Sequence, residues 1–349
     1  MTENTVFIIG AGASKEANLP TGDELKGTIS KLLDIRFKDG YHQSSGDTTI
    51  PTALRLLAQT PGQHHGNVDI NPYLHEAWLI RDALPLAISI DNFIDAHRYN
   101  DKIAVCGKLA IVCSILNAER KSHLYIDERN DSYINLSRLN ETWFLSFFKL
   151  LTENCQKSQL TERIKSLTLI VFNYDRCIEH FIYYALQKYY KLSAIESAEL
   201  VNSINIYHPY GNVGNLPWGN SNGAIKFGAD LQADQLWELS QKIKTFTEGT
   251  DPEASEIIAI RKHMSLANKV VFLGFAFHKL NMELITPTHL DDTNSSKVKC
   301  FATTYGISDS DKTVIDQQIK ELYQGKVSIS MANSTCGKFF TDYWRSLSF

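Results

Sequence analysis

Uninterrupted apolar runs recur along the chain and alternate with stretches of helical period. The first run, Val6-Phe7-Ile8-Ile9, is built of β-branched and aromatic residues and predicts a strand buried on both faces, as at the centre of a parallel sheet. Similar runs at Leu167 to Phe172 and Lys269 to Leu273 predict two more such strands, and shorter ones fall at Asn205 to Tyr207, Val298 to Ala302 and Val327 to Ser330. A helix is predicted over Gly22 to Leu33, with Leu25, Ile29, Leu32 and Leu33 on one face. Residues 39–66 lack a period and read as a loop or lid with a short helix at Thr52 to Ala58. Helical patterns then dominate: Leu74 to Ile90, Asp91 to His97, Asp101 to Glu119 and Leu139 to Cys155. Further helices are predicted at Arg176 to Tyr190, Gln232 to Phe246, Pro252 to Ala267 and Asp309 to Tyr323, with one more at the end of the chain.

Strand, glycine or polar turn, then helix, repeated in this way, is the pattern of a doubly wound, mostly parallel Rossmann-like α/β sheet. Residues 1–36 and 166–349 would form the nucleotide-binding domain, and 37–165 a mostly helical insertion subdomain. A glycine-rich stretch, Asn212 to Gly228, should be loops or a small hairpin.

Composition narrows the classes. The 349 residues are 43% hydrophobic and 21% charged with a net charge of -4, ordinary globular values that carry no footprint for nucleic acid or an acidic membrane. No apolar run approaches a membrane span and no basic leader precedes the first strand, so a cytoplasmic protein is expected. Six cysteines (Cys106, Cys113, Cys155, Cys177, Cys300, Cys336) form no Cys-x-x-Cys pair, so neither a zinc module nor disulfides are expected. His42, His64 and His65 have no spaced partner and read as solvated rather than metal-binding.

The chemistry should sit where the strands end, because ligands of open parallel sheets bind beyond the carboxyl ends of their strands. The first strand ends in Gly10-Ala11-Gly12-Ala13-Ser14, whose glycines leave room for backbone to pass close to a phosphate at a helix N-terminus. Asn173-Tyr174-Asp175, His208-Pro209-Tyr210-Gly211 and Gly274-Phe275-Ala276-Phe277 stand at three other strand ends. An amide and an imidazole at adjacent ends suit the positioning of a water or sugar hydroxyl and the movement of a proton near neutral pH. Asp175 is placed to cap the following helix, and Asp91 to cap its own.

Together these segments resemble the sirtuin family. Gly-Ala-Gly-Ala-Ser followed by Leu19-Pro20-Thr21-Gly22 is similar to its first motif, Phe172-Asn173-Tyr174-Asp175 to its second, His208 to its catalytic histidine, and Gly274-Phe275-Ala276 to its later NAD-binding turn. Three features depart from the deacylases: no cysteine occurs in Asn212 to Gly228, Thr21-Gly22-Asp23-Glu24 stands where members carry an arginine, and Pro209 follows the histidine. The pattern resembles more closely the sirtuin-like NAD hydrolases of bacterial antiphage defence, and Ser89-Ile90-Asp91-Asn92-Phe93-Ile94 is similar to a segment of those proteins. The resemblance implies cleavage of NAD to nicotinamide and ADP-ribose without a metal. It assigns Asn173, His208 and Asp175 to catalysis, and Gly10, Ala11, Gly12, Ala13, Ser14, Pro20, Thr21, Gly274 and Phe275 to NAD. It also implies a homo-oligomer and a separate partner, such as a ring-forming DNA-translocating ATPase or an Argonaute. A silent NAD- or ADP-ribose-sensing subunit, and a protein deacylase or ADP-ribosyltransferase, are the alternatives.

Overall fold

The computed structural model describes residues 3–59, 68–129, 133–219, 223–249, 253–289 and 297–348. The predicted histidines His64 and His65 and the predicted helix start at Pro252 lie outside them. Among the described residues eight strands occur in order: β1 (Thr5–Ile9), β2 (Arg36–Lys38), β3 (His42–Ser45), β4 (Leu167–Val171), β5 (Asn205–Tyr207), β6 (Lys269–Leu273), β7 (Val298–Thr303) and β8 (Val327–Ala332). Six form one parallel sheet in the order β5-β4-β1-β6-β7-β8. Counted within the sheet alone, this is the Rossmann-like order 3-2-1-4-5-6.

Strand β1 lies at the centre, with Phe7 paired to Leu169 on one side and Val271 on the other. All five of its residues are buried, which is why its sequence shows no alternation. Val6 and Ile8 point into one hydrophobic cluster, and Phe7 and Ile9 into another. The first cluster takes in the helices Thr49–Ala58, Asn71–Ala83, Ile90–Ala96 and Asp101–Lys121. The second is aromatic: Phe7 meets Phe147 edge-on at 5.3 Å, and Trp143 stacks on Phe144 at 4.5 Å. The helical stretch 37–165 is therefore divided between the two faces of the sheet. Its helix Trp143–Thr152 packs opposite the helices that precede it.

Local boundaries moved where one residue outweighed the period. The segment read as irregular begins inside a hairpin that starts just before it, β2 to β3, whose turn uses Asp39 and Gly40 at φ 55° and 74°. These are the positive values that a tight hairpin turn requires. The helix expected from Thr52 begins at Thr49, because Asp47 Oδ1 accepts from the Thr49 and Ile50 N–H groups and Pro51 sits in the first turn, where no donor is needed. The helix expected to reach Ile90 stops at Ala83, next to a short 3-10 turn that contains Pro85.

One buried ion pair ties the helical layer to the sheet edge. Arg176, just past β4, donates from Nε to Glu119 Oε1 at 3.0 Å and from its terminal nitrogens to the carbonyls of Gly214, Ile225 and Lys226. Glu119 Oε2 also accepts from the Gly228 N–H at 2.9 Å. Both side chains are essentially inaccessible, so removing one leaves the other charged and unpaired in the interior. Glu119→Ala should lower unfolding stability by about 3–5 kcal/mol, read from the urea midpoint by circular dichroism.

Candidate functional site

At the end of β1 the chain turns at Gly10 into a helix of one turn, Ala11–Lys15. The backbone that passes close to it is that of Gly274, at the end of β6. A Cβ on Gly10 would stand 2.5 Å from the Gly274 oxygen, one on Gly12 2.9 Å from the same atom, and one on Gly274 2.1 Å from the Ala13 nitrogen. Gly274 also has φ +54°, in the left-handed region. The glycines expected to admit a phosphate are thus required first by this strand-end contact. The N–H groups of Gly10, Gly12 and Ala13 already donate to Leu273, Gly274 and Gly10 carbonyls at 2.9, 3.0 and 3.0 Å. Ala11 and the exposed face of Gly12 are the parts of the turn left to meet a ligand.

Ser14 links this turn to the next strand end. Its buried hydroxyl accepts from Asn173 Nδ2 at 2.9 Å and bonds the Asp175 carboxylate. With Nδ2 engaged, the Asn173 Oδ1 is the part of the amide left to accept from a water or hydroxyl. Asp175 accepts from the Cys177 N–H at 3.1 Å, at the start of the helix Cys177–Tyr190. Burial holds its carboxyl above the usual carboxylate range, and the bonds from Cys177 and Ser14 oppose that. Tyr174, between them, donates its hydroxyl to Asp91 Oδ1, while the cap of the Ile90–Ala96 helix is Ser89, whose hydroxyl accepts from Asn92. Asp91 therefore serves the Asn173–Asp175 turn rather than capping its helix.

His208 lies beyond β5, against the same turn. Its Nδ1 is 3.2 Å from the Asn173 carbonyl and its Nε2 is 2.6 Å from Glu179 Oε1. Burial works against its protonated form, but the Glu179 carboxylate outweighs that and raises the pKa above the ordinary histidine value. His208 N–H donates to Glu256 Oε1 at 3.1 Å.

Two of the predicted segments are placed otherwise. Thr21 forms a capping box with Glu24 at the head of the Gly22–Leu33 helix, its N–H 2.8 Å from Glu24 Oε2, and Pro20 precedes it half-buried. Phe275 is buried, 5.0 Å from the Phe172 ring, and belongs to the core under the strand ends rather than to an open ligand face. Glu179 and Arg176 were not singled out from the sequence. Glu179 follows Asp175 by four positions, in the first turn of the Cys177–Tyr190 helix.

A cavity of about 320 Å³ adjoins this group, lined by Glu179, His208, Asn212, Asn215 and Trp218. A larger one of about 1130 Å³, with Tyr125, His180, Tyr184 and Phe227 in its wall, shares Trp218 with it. The Gly10–Ser14 turn lines neither. Of the two, the smaller alone holds the strand-end histidine and its carboxylate partner, and Asn173 lines neither, so the candidate site is the strand-end surface of Ala11, Gly12 and Asn173 with this cavity beside it. Among the described residues no three His, Cys, Asp or Glu side chains are grouped to hold a metal ion, and no helix is long and apolar enough to cross a membrane.

No protein-family model matches the chain, and no curated protein matches it in sequence.

The glycine contact makes a direct prediction. Gly12→Val and Gly274→Ala should each destabilise the fold by about 1–3 kcal/mol or more through backbone strain, seen as a lowered thermal midpoint. Gly22→Ala, where an added Cβ meets nothing within 4 Å, should leave the midpoint nearly unchanged.

Proposed function

We propose that this chain hydrolyses the nicotinamide-ribose bond of NAD, giving nicotinamide and ADP-ribose. The observation that carries the reading is the continuous chain of contacts from the Gly10–Ser14 turn through Ser14 and Asn173 to His208 and Glu179, at the carboxyl ends of adjacent parallel strands. The sirtuin-like motifs in the sequence support it, and the parallel sheet in Rossmann-like order is the fold they call for.

The chemistry asks little of an acid. The C–N bond breaks with its electron pair going to the pyridinium nitrogen, so nicotinamide leaves neutral without being protonated. A water then adds to the ribose carbon and loses a proton to solvent. The protein's task is to place the ribose and that water, and Asn173 Oδ1, held in position by Ser14, is suited to accept from either. The pyrophosphate would lie along Ala11 and the exposed side of Gly12, with Ala13 and Ser14 fixing the turn from beneath. Pro20 and Thr21 would act only as the edge of that surface.

Such an activity needs restraint, and a partner together with self-assembly is part of the proposal. Leu86 and Ile88 are 91% and 68% exposed beside the helix that carries Asp91, an apolar edge suited to contact with another chain. A partner such as a ring-forming DNA-translocating ATPase or an Argonaute, and a role in antiphage defence through NAD depletion, follow from the resemblance alone. A second reading, a silent NAD- or ADP-ribose-sensing subunit, is favoured by one feature: both His208 ring nitrogens are already partnered.

Nicotinamide release decides between them. Asn173→Ala should lower turnover by about 10²–10⁴ while NAD affinity by calorimetry changes much less, since most of the contact area would lie along the pyrophosphate and adenosine. Parental turnover in Asn173→Ala would refute the assignment, and NAD binding without turnover in any assembly state would establish the sensor. Leu86→Glu with Ile88→Glu should reduce oligomer content in sedimentation and nicotinamide release together. Full activity in a strictly monomeric state would remove assembly from the proposal.

A further inference from the structure

Glu179 is absent from the motifs that carry the resemblance, yet it makes a 2.6 Å contact with the strand-end histidine. We infer that Glu179 is a positioning residue that keeps His208 doubly protonated, so that the imidazolium clamps the Asn173 main chain in place. The argument is one of donors and acceptors. The Asn173 carbonyl at 3.2 Å from Nδ1 can only accept, and the Glu179 oxygen at 2.6 Å from Nε2 accepts when ionised. A neutral imidazole has one N–H and leaves one of these contacts between two acceptors. With a proton at each nitrogen, both are satisfied.

The charge balance of the surroundings points the same way. Glu179 and His208 side chains are 13% and 9% exposed, and Glu179 Oε2 is buried without a hydrogen-bond partner among the described residues. A carboxylate in that position needs a cation. Arg176, the one arginine or lysine among the described residues that line the same cavity, is committed to Glu119 and three carbonyls. His208 is left as the counter-charge.

The other charged groups facing His208 do not alter this. Asp175, on the preceding turn, adds negative potential and favours the proton. Glu256, on the helix Ser255–Ser265, accepts the His208 N–H and is paired with Lys244 at 3.3 Å. His180, the residue after Glu179, makes the contrast. It is buried against Phe227 with a carbonyl for its Nε2 and, among the described residues, no carboxylate contact, and burial, with Arg176 nearby, lowers its pKa to about 3.

The sign of the pH dependence follows. A histidine whose pKa is raised in the folded state contributes stability that is fully present below its unfolded value, about 6.5, and is lost as pH rises through the folded value. Once one proton leaves, either Nε2 faces the Glu179 carboxylate or Nδ1 faces the Asn173 carbonyl lone pair to lone pair, so the ring no longer holds both groups and the clamp on Asn173 weakens. The consequence for NAD cleavage rests on the proposed function: turnover should fall as pH rises through the His208 value, whereas a histidine acting as a base would make it rise.

Imidazole NMR of the full-length protein tests the inference without NAD. The His208 C2–H resonance, assigned by its loss in His208→Asn, should titrate above 6.5 in the parent, with both ring nitrogens protonated at pH 6.5. Glu179→Gln should lower the midpoint by about one pH unit or more, and Glu179→Asp should restore most of the elevation. A parental midpoint at or below 6.5, or no movement in Glu179→Gln, would overturn it. Should Glu179→Gln fail to fold, the parental midpoint and nitrogen shifts decide alone. An elevated midpoint in a protein that never releases nicotinamide would sink the NAD reading and leave the pair standing.

Discussion

The contact between two strand ends at Gly10, Gly12 and Gly274 is the constraint on which the rest of the site depends. Strands β1 and β6 are hydrogen-bonded neighbours, and where they leave the sheet their backbones touch with no side chain between them. That closeness fixes the one-turn helix after Gly10, and the helix places Ser14 under the next strand end. Ser14 in turn fixes the Asn173 amide. A side chain added anywhere in the glycine contact would move the whole series, because each member is held by the one before it.

Buried charge is handled in pairs along the first turn of a single helix. Arg176 and Glu179 lie three residues apart at the start of Cys177–Tyr190, and each is matched by a group from elsewhere in the chain: Glu119 from the helical layer and His208 from the end of β5. The two pairs differ in their remaining partners. Arg176 and Glu119 have backbone groups for their other atoms, so that pair is satisfied and structural. Among the described residues Glu179 keeps one oxygen without a donor, and its partner can lose a proton near neutral pH. A satisfied pair is beside a switchable one, and only the second borders both Asn173 and the smaller cavity.

The sheet was legible in the sequence because its central strands are buried on both faces and so consist of unbroken apolar runs, with glycine or polar residues marking each end. Parallel order followed from the helices between them. The hairpin at Arg36–Ser45 was not legible, since strands of three and four residues with no fully buried side chain are too short for their alternation to stand out. The strand-end residues of the site were visible as a group, but the reason for the glycines was not: the same sequence serves an approaching phosphate or an approaching backbone, and only the pairing of β1 with β6 distinguishes them. Thr21 reads alike as a ligand contact or a cap until Glu24 is seen bonded to its N–H. Glu179 escaped because its partner is 29 positions away, and no local period reports such a contact.

The Asn173–Asp175 turn joins these parts more tightly than any one element does. Asn173 is bound to the β1 turn through Ser14, Asp175 to that same serine and to its own helix, and Tyr174 to Asp91 on the Ile90–Ala96 helix. The Tyr174 carbonyl also accepts from Val213 at 3.2 Å, which brings in the loop beyond His208. Asp91 is the one of these partners that comes from the helical layer, and burial raises its pKa to about 6 against the Tyr174 bond. Displacing the Ile90–Ala96 helix would break that bond and leave a carboxyl group and a phenol unpaired in the interior, so the helix and the turn hold their positions together. A contact made at the exposed edge by Leu86 and Ile88 would therefore be felt at the Asn173–Asp175 turn through a single hydrogen bond, a physical route by which the proposed assembly would reach the site.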